Sequence, residues 1–330
     1  MKSRRTFLIS LGVMSVSRAS QAFGQPSTRR PPRVGVLWHA GSEEEERVPL
    51  GALRQGLKDM GYVEGRTILL ENRYPNEEPD RFVSLAAELA KLNVDVLVAV
   101  TRPAALAARQ ATSTIPIVFL AVPDPVGDRL VETLARPGKQ ITGITNMALE
   151  LVPKRIELLK EALPQVSRLG LLVNVSHAEG ARRYMRIAET AAASLGITVQ
   201  PVEVRGPDDF DQAFSFIRDS RLQGLSLTVD GLFYANQQRL IRLAIDRRVP
   251  MIMYAREMAA NGALMSYGPS NTALFHRGAY FIDRILRGAK PADVPVEQPP
   301  VIELFVNSQT AKAIGVSIAP AVLHRANDVL

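Results

Sequence analysis

The same succession of strands and helices is written twice in this chain, and that doubling constrains the fold more than any single motif. β-Branched runs at 33–38, 67–72, 94–100 and 115–121 alternate with helical patterns at 50–61, 80–92 and 103–112. Apolar residues in the helical patterns recur three and four positions apart, the spacing that gives a helix one buried face. The run Val94-Asp95-Val96-Leu97-Val98-Ala99-Val100 is apolar almost throughout, as in a parallel strand covered on both faces. The second copy opens with Arg168-Leu169-Gly170-Leu171-Leu172-Val173, which has the texture of Arg33-Val34-Gly35-Val36-Leu37-Trp38. Its last strand, Val249-Pro250-Met251-Ile252-Met253, matches Ile115-Pro116-Ile117-Val118-Phe119. Arg33 and Ile115 are 82 residues apart, and Arg168 and Val249 are 81 apart. The fold class expected is therefore α/β, with two doubly wound parallel-sheet lobes.

Two extended stretches, 141–146 after the turn Arg136-Pro137-Gly138 and 263–268 at the end of the second copy, read as crossings between lobes. A helix over 272–287, a strand over 301–306 and a terminal helix over 319–329 remain for the tail, which implies a third crossing. The expected division is 33–143 with about 269–295 for the first lobe, and 144–268 with about 296–330 for the second.

The net charge of +7 falls to +3 once Lys2, Arg4, Arg5 and Arg18 are set aside, because the first 24 residues contain no acid. A mildly basic body does not indicate nucleic-acid binding. Those 24 residues read as an export signal: a basic start, the short apolar run Phe7 to Met14, and small residues at Ala22 and Gly24. Ser3-Arg4-Arg5-Thr6-Phe7-Leu8 resembles the twin-arginine export motif. Residues 25–32 read as a flexible leader. Later apolar runs are only strand-length, so the mature chain is expected to be free and monomeric in a periplasm.

Much chemistry is excluded. The chain has 0 Cys, which removes disulfides, thiolate metal sites and cysteine nucleophiles, and its 4 His are too few and scattered to suggest a metal centre. Gly-x-Gly-x-x-Gly, Walker and Gly-x-Ser-x-Gly motifs are missing. No cofactor is expected, and the chain is not expected to be an enzyme.

Ligands of doubly wound sheets sit beyond the carboxyl ends of the strands, so two such lobes facing one another share a cleft. The residues at those ends are Trp38, His39 and Ser42; Thr101, Arg102 and Ala104; and Asp124 in the first lobe. Asn174, Asp230, Tyr254 and Glu257 occupy the equivalent places in the second, and the crossings add Asn146 and Tyr267. Thr101-Arg102-Pro103 places a hydroxyl and proline at an open helix N-terminus, suited to a carboxylate or simply to capping. Asp230 either accepts an ammonium group or caps the helix that begins near Phe233. Together they form the charge pattern of an amino-acid site, with Trp38 and Tyr267 as candidate aromatic walls.

Several segments resemble the ABC-transporter substrate-binding proteins of the tryptophan/tyrosine-uptake type. They are Leu57-Lys58-Asp59-Met60-Gly61-Tyr62-Val63-Glu64-Gly65-Arg66, Thr114-Ile115-Pro116-Ile117-Val118-Phe119, Asp124-Pro125-Val126-Gly127 and Leu264-Met265-Ser266-Tyr267-Gly268-Pro269. Leu134-Ala135-Arg136-Pro137-Gly138, Arg287-Gly288-Ala289-Lys290-Pro291 and Asn307-Ser308-Gln309-Thr310 extend the likeness over about 33–328. The resemblance implies a type I periplasmic-binding-protein fold with three crossings, a small polar ligand such as an amino acid or related carboxylate, and a membrane permease as partner. The alternatives are an exported α/β enzyme or a sensor subunit presenting ligand to a receptor. Arg102, Asn174-Val175-Ser176 and Asn261-Gly262-Ala263 depart from the family's habits. The first two departures fall at cleft positions.

Overall fold

A computed structural model describes residues 30–330. The segments read as an export signal and most of the leader lie outside the described residues.

The first sheet contains β1 (Arg33–Leu37), β2 (Leu69–Arg73), β3 (Val96–Val100), β4 (Ile117–Val122) and β5 (Ile141–Thr145), with α1 (Arg47–Asp59), α2 (Pro79–Lys91) and α3 (Thr101–Ala111) between them. Its order is β2-β1-β3-β4-β5, all parallel. The second copy runs through α4 (Val152–Ala162), β6 (Arg168–Asn174), α5 (Ala178–Ala193), β7 (Thr198–Val204), α6 (Phe210–Asp219) and β8 (Gly224–Leu227). It continues through α7 (Gly231–Ala235), α8 (Gln237–Asp246), β9 (Met251–Met253), α9 (Arg256–Ala260) and β10 (Met265–Pro269). The order β7-β6-β8-β9-β10 repeats that of the first sheet strand for strand. Each sheet is buried under an apolar cluster on each face, which is why its central strands are continuous hydrophobic runs.

The tail visits both lobes. α10 (Asn271–Leu286) packs on α1, where a Cβ on Gly56 would stand 2.4 Å from the His276 carbonyl. Val296 and Glu297 then lie beside β5, with Glu297 N donating to Gly143 O at 3.0 Å and Thr145 N to Glu297 O at 3.0 Å. β11 (Ile302–Val306) joins the second sheet antiparallel to β10, followed by α11 (Ser308–Ile314), α12 (Pro320–Arg325) and β12 (Asp328–Val329). The chain thus crosses between lobes three times. The stretches read as crossings are themselves the last strands, β5 and β10, and the chain changes lobe just after each. The single terminal helix expected over 319–329 is shorter, because the chain leaves it to pair β12 with β11.

The two strands before the crossings share a local device. A Cβ on Gly143 of β5 would lie 1.9 Å from Phe119 O, and one on Gly268 of β10 would lie 1.9 Å from Tyr254 O. Both contacts are with backbone and cannot be relieved by a side-chain rotation, so each strand docks on its neighbour only through glycine. No helix among the described residues is long and apolar enough to cross a membrane.

Candidate functional site

The carboxyl ends of the two sheets face a cavity of about 600 Å³. Its first-lobe wall is formed by Glu77, the first turn of α3 (Thr101, Arg102, Pro103), Ala121 and the loop carrying Asp124 and Asp128. Its second-lobe wall is formed by Asn174, His177, the first turns of α5 with Arg183 and Tyr184, and the segment from Thr228 to Gly231. Glu77 follows β2 and the other segments follow β3, β4, β6 and β8, of which β3, β6 and β8 border the points where strand order reverses.

Thr101 has φ of 74°, a left-handed backbone that a β-branched residue rarely adopts. Its Oγ1 is buried without a hydrogen-bond partner. The first backbone N–H groups of α3 have no acceptor within their own helix, so this turn presents donors and the positive end of a helix dipole to the cavity. Opposite, the Asp230 side chain accepts from Leu232 N at 2.9 Å and from Asn174 Nδ2 at 3.3 Å. Burial raises its pKa above the usual carboxylate value, against the opposing effect of those two donors. Tyr254 Oη donates to the Asp230 carbonyl at 3.0 Å and fixes the backbone from behind.

Charged and aromatic contacts close the lobes over this space. Arg183 of α5 pairs with Asp124 of the first lobe. The His39 ring meets Tyr234 edge-on, 5.9 Å between centroids at 78°. Glu257 of α9 accepts from Tyr234 Oη and from Asn271 Nδ2 at the start of α10, both at 2.8 Å. His39 also holds Glu77, with Nδ1 and Oε1 2.7 Å apart, while Glu46 lies 3.4 Å from Nε2. Burial opposes the charged imidazole, but Glu46 and Glu77 outweigh it and raise its pKa to about 9. On the rim, Arg102 Nε donates to Asp128 Oδ1 at 2.7 Å. No group of His, Asp and Glu among the described residues is arranged to hold a metal ion.

The profile of the ABC transporter substrate-binding protein family matches residues 46–330. The chain belongs to that family. A tyrosine-binding protein of Clostridioides difficile (strain R20291) is 23% identical over 298 residues, covering 90% of this chain and 85% of that one. Among solved structures, a conserved domain protein of Vibrio cholerae superposes with a TM-score of 0.84 at 29% identity, covering 91% of this chain and 100% of that chain. The ABC domain of a Streptococcus pneumoniae protein in complex with L-Trp superposes with a TM-score of 0.82 at 23% identity, over 91% and 100% of the two chains. The fold is that of the type I periplasmic-binding proteins.

Six of the residues expected in the cleft of this substrate-binding protein line the cavity: Thr101, Arg102, Asp124, Asn146, Asn174 and Asp230. His39 and Tyr254 stand one layer behind, acting on Glu77 and on the Asp230 backbone. The other expectations are corrected. Trp38 is 0% exposed, stacked on Phe275 at 5.7 Å with its indole N–H on Asn72 Oδ1 at 2.9 Å, because α10 returns to cover the face of β1 from which Trp38 projects. Ala104 is on the inward face of α3 and is fully buried in the first-lobe core. Ser42 bonds Glu45 at the loop surface. Glu257 joins the lobes outside the cavity, and Tyr267 packs against the second-lobe core beside α4. The sequence reading passed over Glu77, Tyr184 and Arg183. Glu77 is in the loop after the edge strand β2, while Tyr184 and Arg183 are inside α5, away from any strand end.

Proposed function

We propose that this protein is an exported receptor of an ABC import system. It captures a small amino acid, or a related carboxylate, between its lobes and presents the closed form to a membrane permease in the periplasm. The observation that carries the reading is the pairing, across one cavity, of the α3 N-terminal turn at Thr101 with the carboxylate of Asp230. A ligand carboxylate is matched by the N–H groups, the dipole and the unpartnered hydroxyl of the first lobe. A ligand ammonium is matched by Asp230, which is already desolvated and gains most from a positive partner. The volume of about 600 Å³ accommodates a ligand of amino-acid size. The relatives described as binding tyrosine and L-Trp support the same class of ligand.

Native mass spectrometry of the protein purified from its own periplasm tests the reading. A bound mass that is displaced by one L-amino acid and by no sugar supports it. A sugar or nucleoside adduct that no amino acid displaces would refute it.

A further inference from the structure

Glu77 reaches the cavity on a loop held in an uncommon backbone state. Asn76 and Glu77 have φ of 58° and 55°. Their N–H groups donate to the carbonyls of Ala40 and His39 at 3.0 and 2.9 Å, and His39 Nδ1 lies 2.7 Å from Glu77 Oε1. Across the cleft the carboxylate meets Gly231 so closely that a Cβ there would lie 2.0 Å from Oε1. Asp230 is the adjacent residue, and Glu77 and Asp230 line the same cavity from opposite lobes. Of the guanidinium groups lining the cavity, Arg183 pairs with Asp124 and Arg102 with Asp128, while Arg129 and the His177 imidazole also line it. Tyr184, on the same second-lobe wall, is 7% exposed with its Oη unpartnered. The region therefore converges two carboxylates and leaves a buried polar hydroxyl without a partner.

We propose that Glu77 and Asp230 form a two-lobe clamp for the protonated amine of the ligand, with Glu77 making closure depend on that positive charge. The proposal rests on the amino-acid reading above and adds the first-lobe half of the ammonium site. When the cleft shuts on a ligand without a cation, two carboxylates are pressed together in a place that water leaves, and their repulsion opposes closure. With an ammonium between them, each lobe is drawn to the same charge, and binding and closure become one event. His39 Nδ1 holds Oε1, leaving Oε2 for the ligand. A Cβ at Gly231 would push the Glu77 carboxylate aside. The selectivity that follows is for amines over their hydroxyl analogues, since a neutral group cannot offset the paired charges.

A thermal-shift screen of the L-amino acids identifies the tightest binder. That amino acid and its α-hydroxy analogue are then titrated by calorimetry into the wild type, Glu77→Gln, Gly231→Ala and Asp230→Asn. The wild type should prefer the amine by roughly 100-fold, and Glu77→Gln should lose about 10-fold of that preference. Gly231→Ala, which keeps both carboxylates but displaces Glu77, should show the same loss. Full amine preference in Glu77→Gln and Gly231→Ala, with loss only in Asp230→Asn, overturns the clamp and leaves the amino-acid reading standing. A screen in which no amino acid binds overturns both.

Discussion

Thr101 carries two costs in the ligand-free fold, and replacing it by glycine separates stability from binding. A β-branched residue at φ of 74° stores strain of about 1–3 kcal/mol. Its buried, unpartnered Oγ1 adds a desolvation penalty of about 1–3 kcal/mol. Thr101→Gly removes both, offset by about 1 kcal/mol of glycine backbone entropy and about 0.8 kcal/mol for the lost methyl group. These leave a net gain of about 0.2–4 kcal/mol, and each 1 kcal/mol raises Tm by about 2–4 °C in a domain of this size. If the hydroxyl is kept to bind ligand, the same change lowers affinity for a carboxylate ligand about 10- to 100-fold. Calorimetric unfolding without ligand, followed by titration with the ligand, reads both. Thr101→Ala distinguishes the contributions, since it removes the hydroxyl but keeps a Cβ at the strained φ. A Thr101→Gly protein that is less stable than wild type and binds equally well would refute the reasoning.

Gly143→Ala and Gly268→Ala should each cost more than about 3 kcal/mol in chemical denaturation, because each new Cβ meets a carbonyl at 1.9 Å; a loss under 1 kcal/mol would contradict the packing described. The pKa of His39 is raised from 6.5 to about 9, so its contribution is complete below pH 6.5 and is lost as pH rises through 9. Wild-type stability should thus decline over that window by up to about 3 kcal/mol relative to His39→Gln, and parallel pH profiles for the two proteins would contradict the pairing with Glu46 and Glu77. Trp38, fully buried against Phe275, should give blue-shifted emission, poorly quenched by acrylamide, that ligand does not move; a red-shifted, ligand-sensitive spectrum would place the indole at the cleft instead.

The doubled α/β pattern was legible because it depends on strand periodicity and on the order of elements, both local properties of the sequence. The strand order then placed Thr101, Asn174 and Asp230 at the cavity, since residues following β3, β6 and β8 must emerge where the order reverses. The same logic failed for Trp38. It follows β1 in equally good position, but α10, which arrives from more than two hundred residues downstream, covers the face from which it projects. Glu77 escaped notice because its placement depends on two consecutive left-handed residues and on His39, none of which leaves a periodic trace. Arg183 and Tyr184 lie a turn or more inside α5, away from any strand end, and still line the cavity. Tertiary contacts between distant segments account for every one of these differences.

A crystal structure of the protein with its co-purified ligand tests the central claim most directly. The account predicts one small molecule between the lobes, its carboxylate on Thr101 and the first N–H groups of α3, and its ammonium beside Asp230. A ligand lodged elsewhere, or one in this cavity with neither group at those two positions, would contradict it.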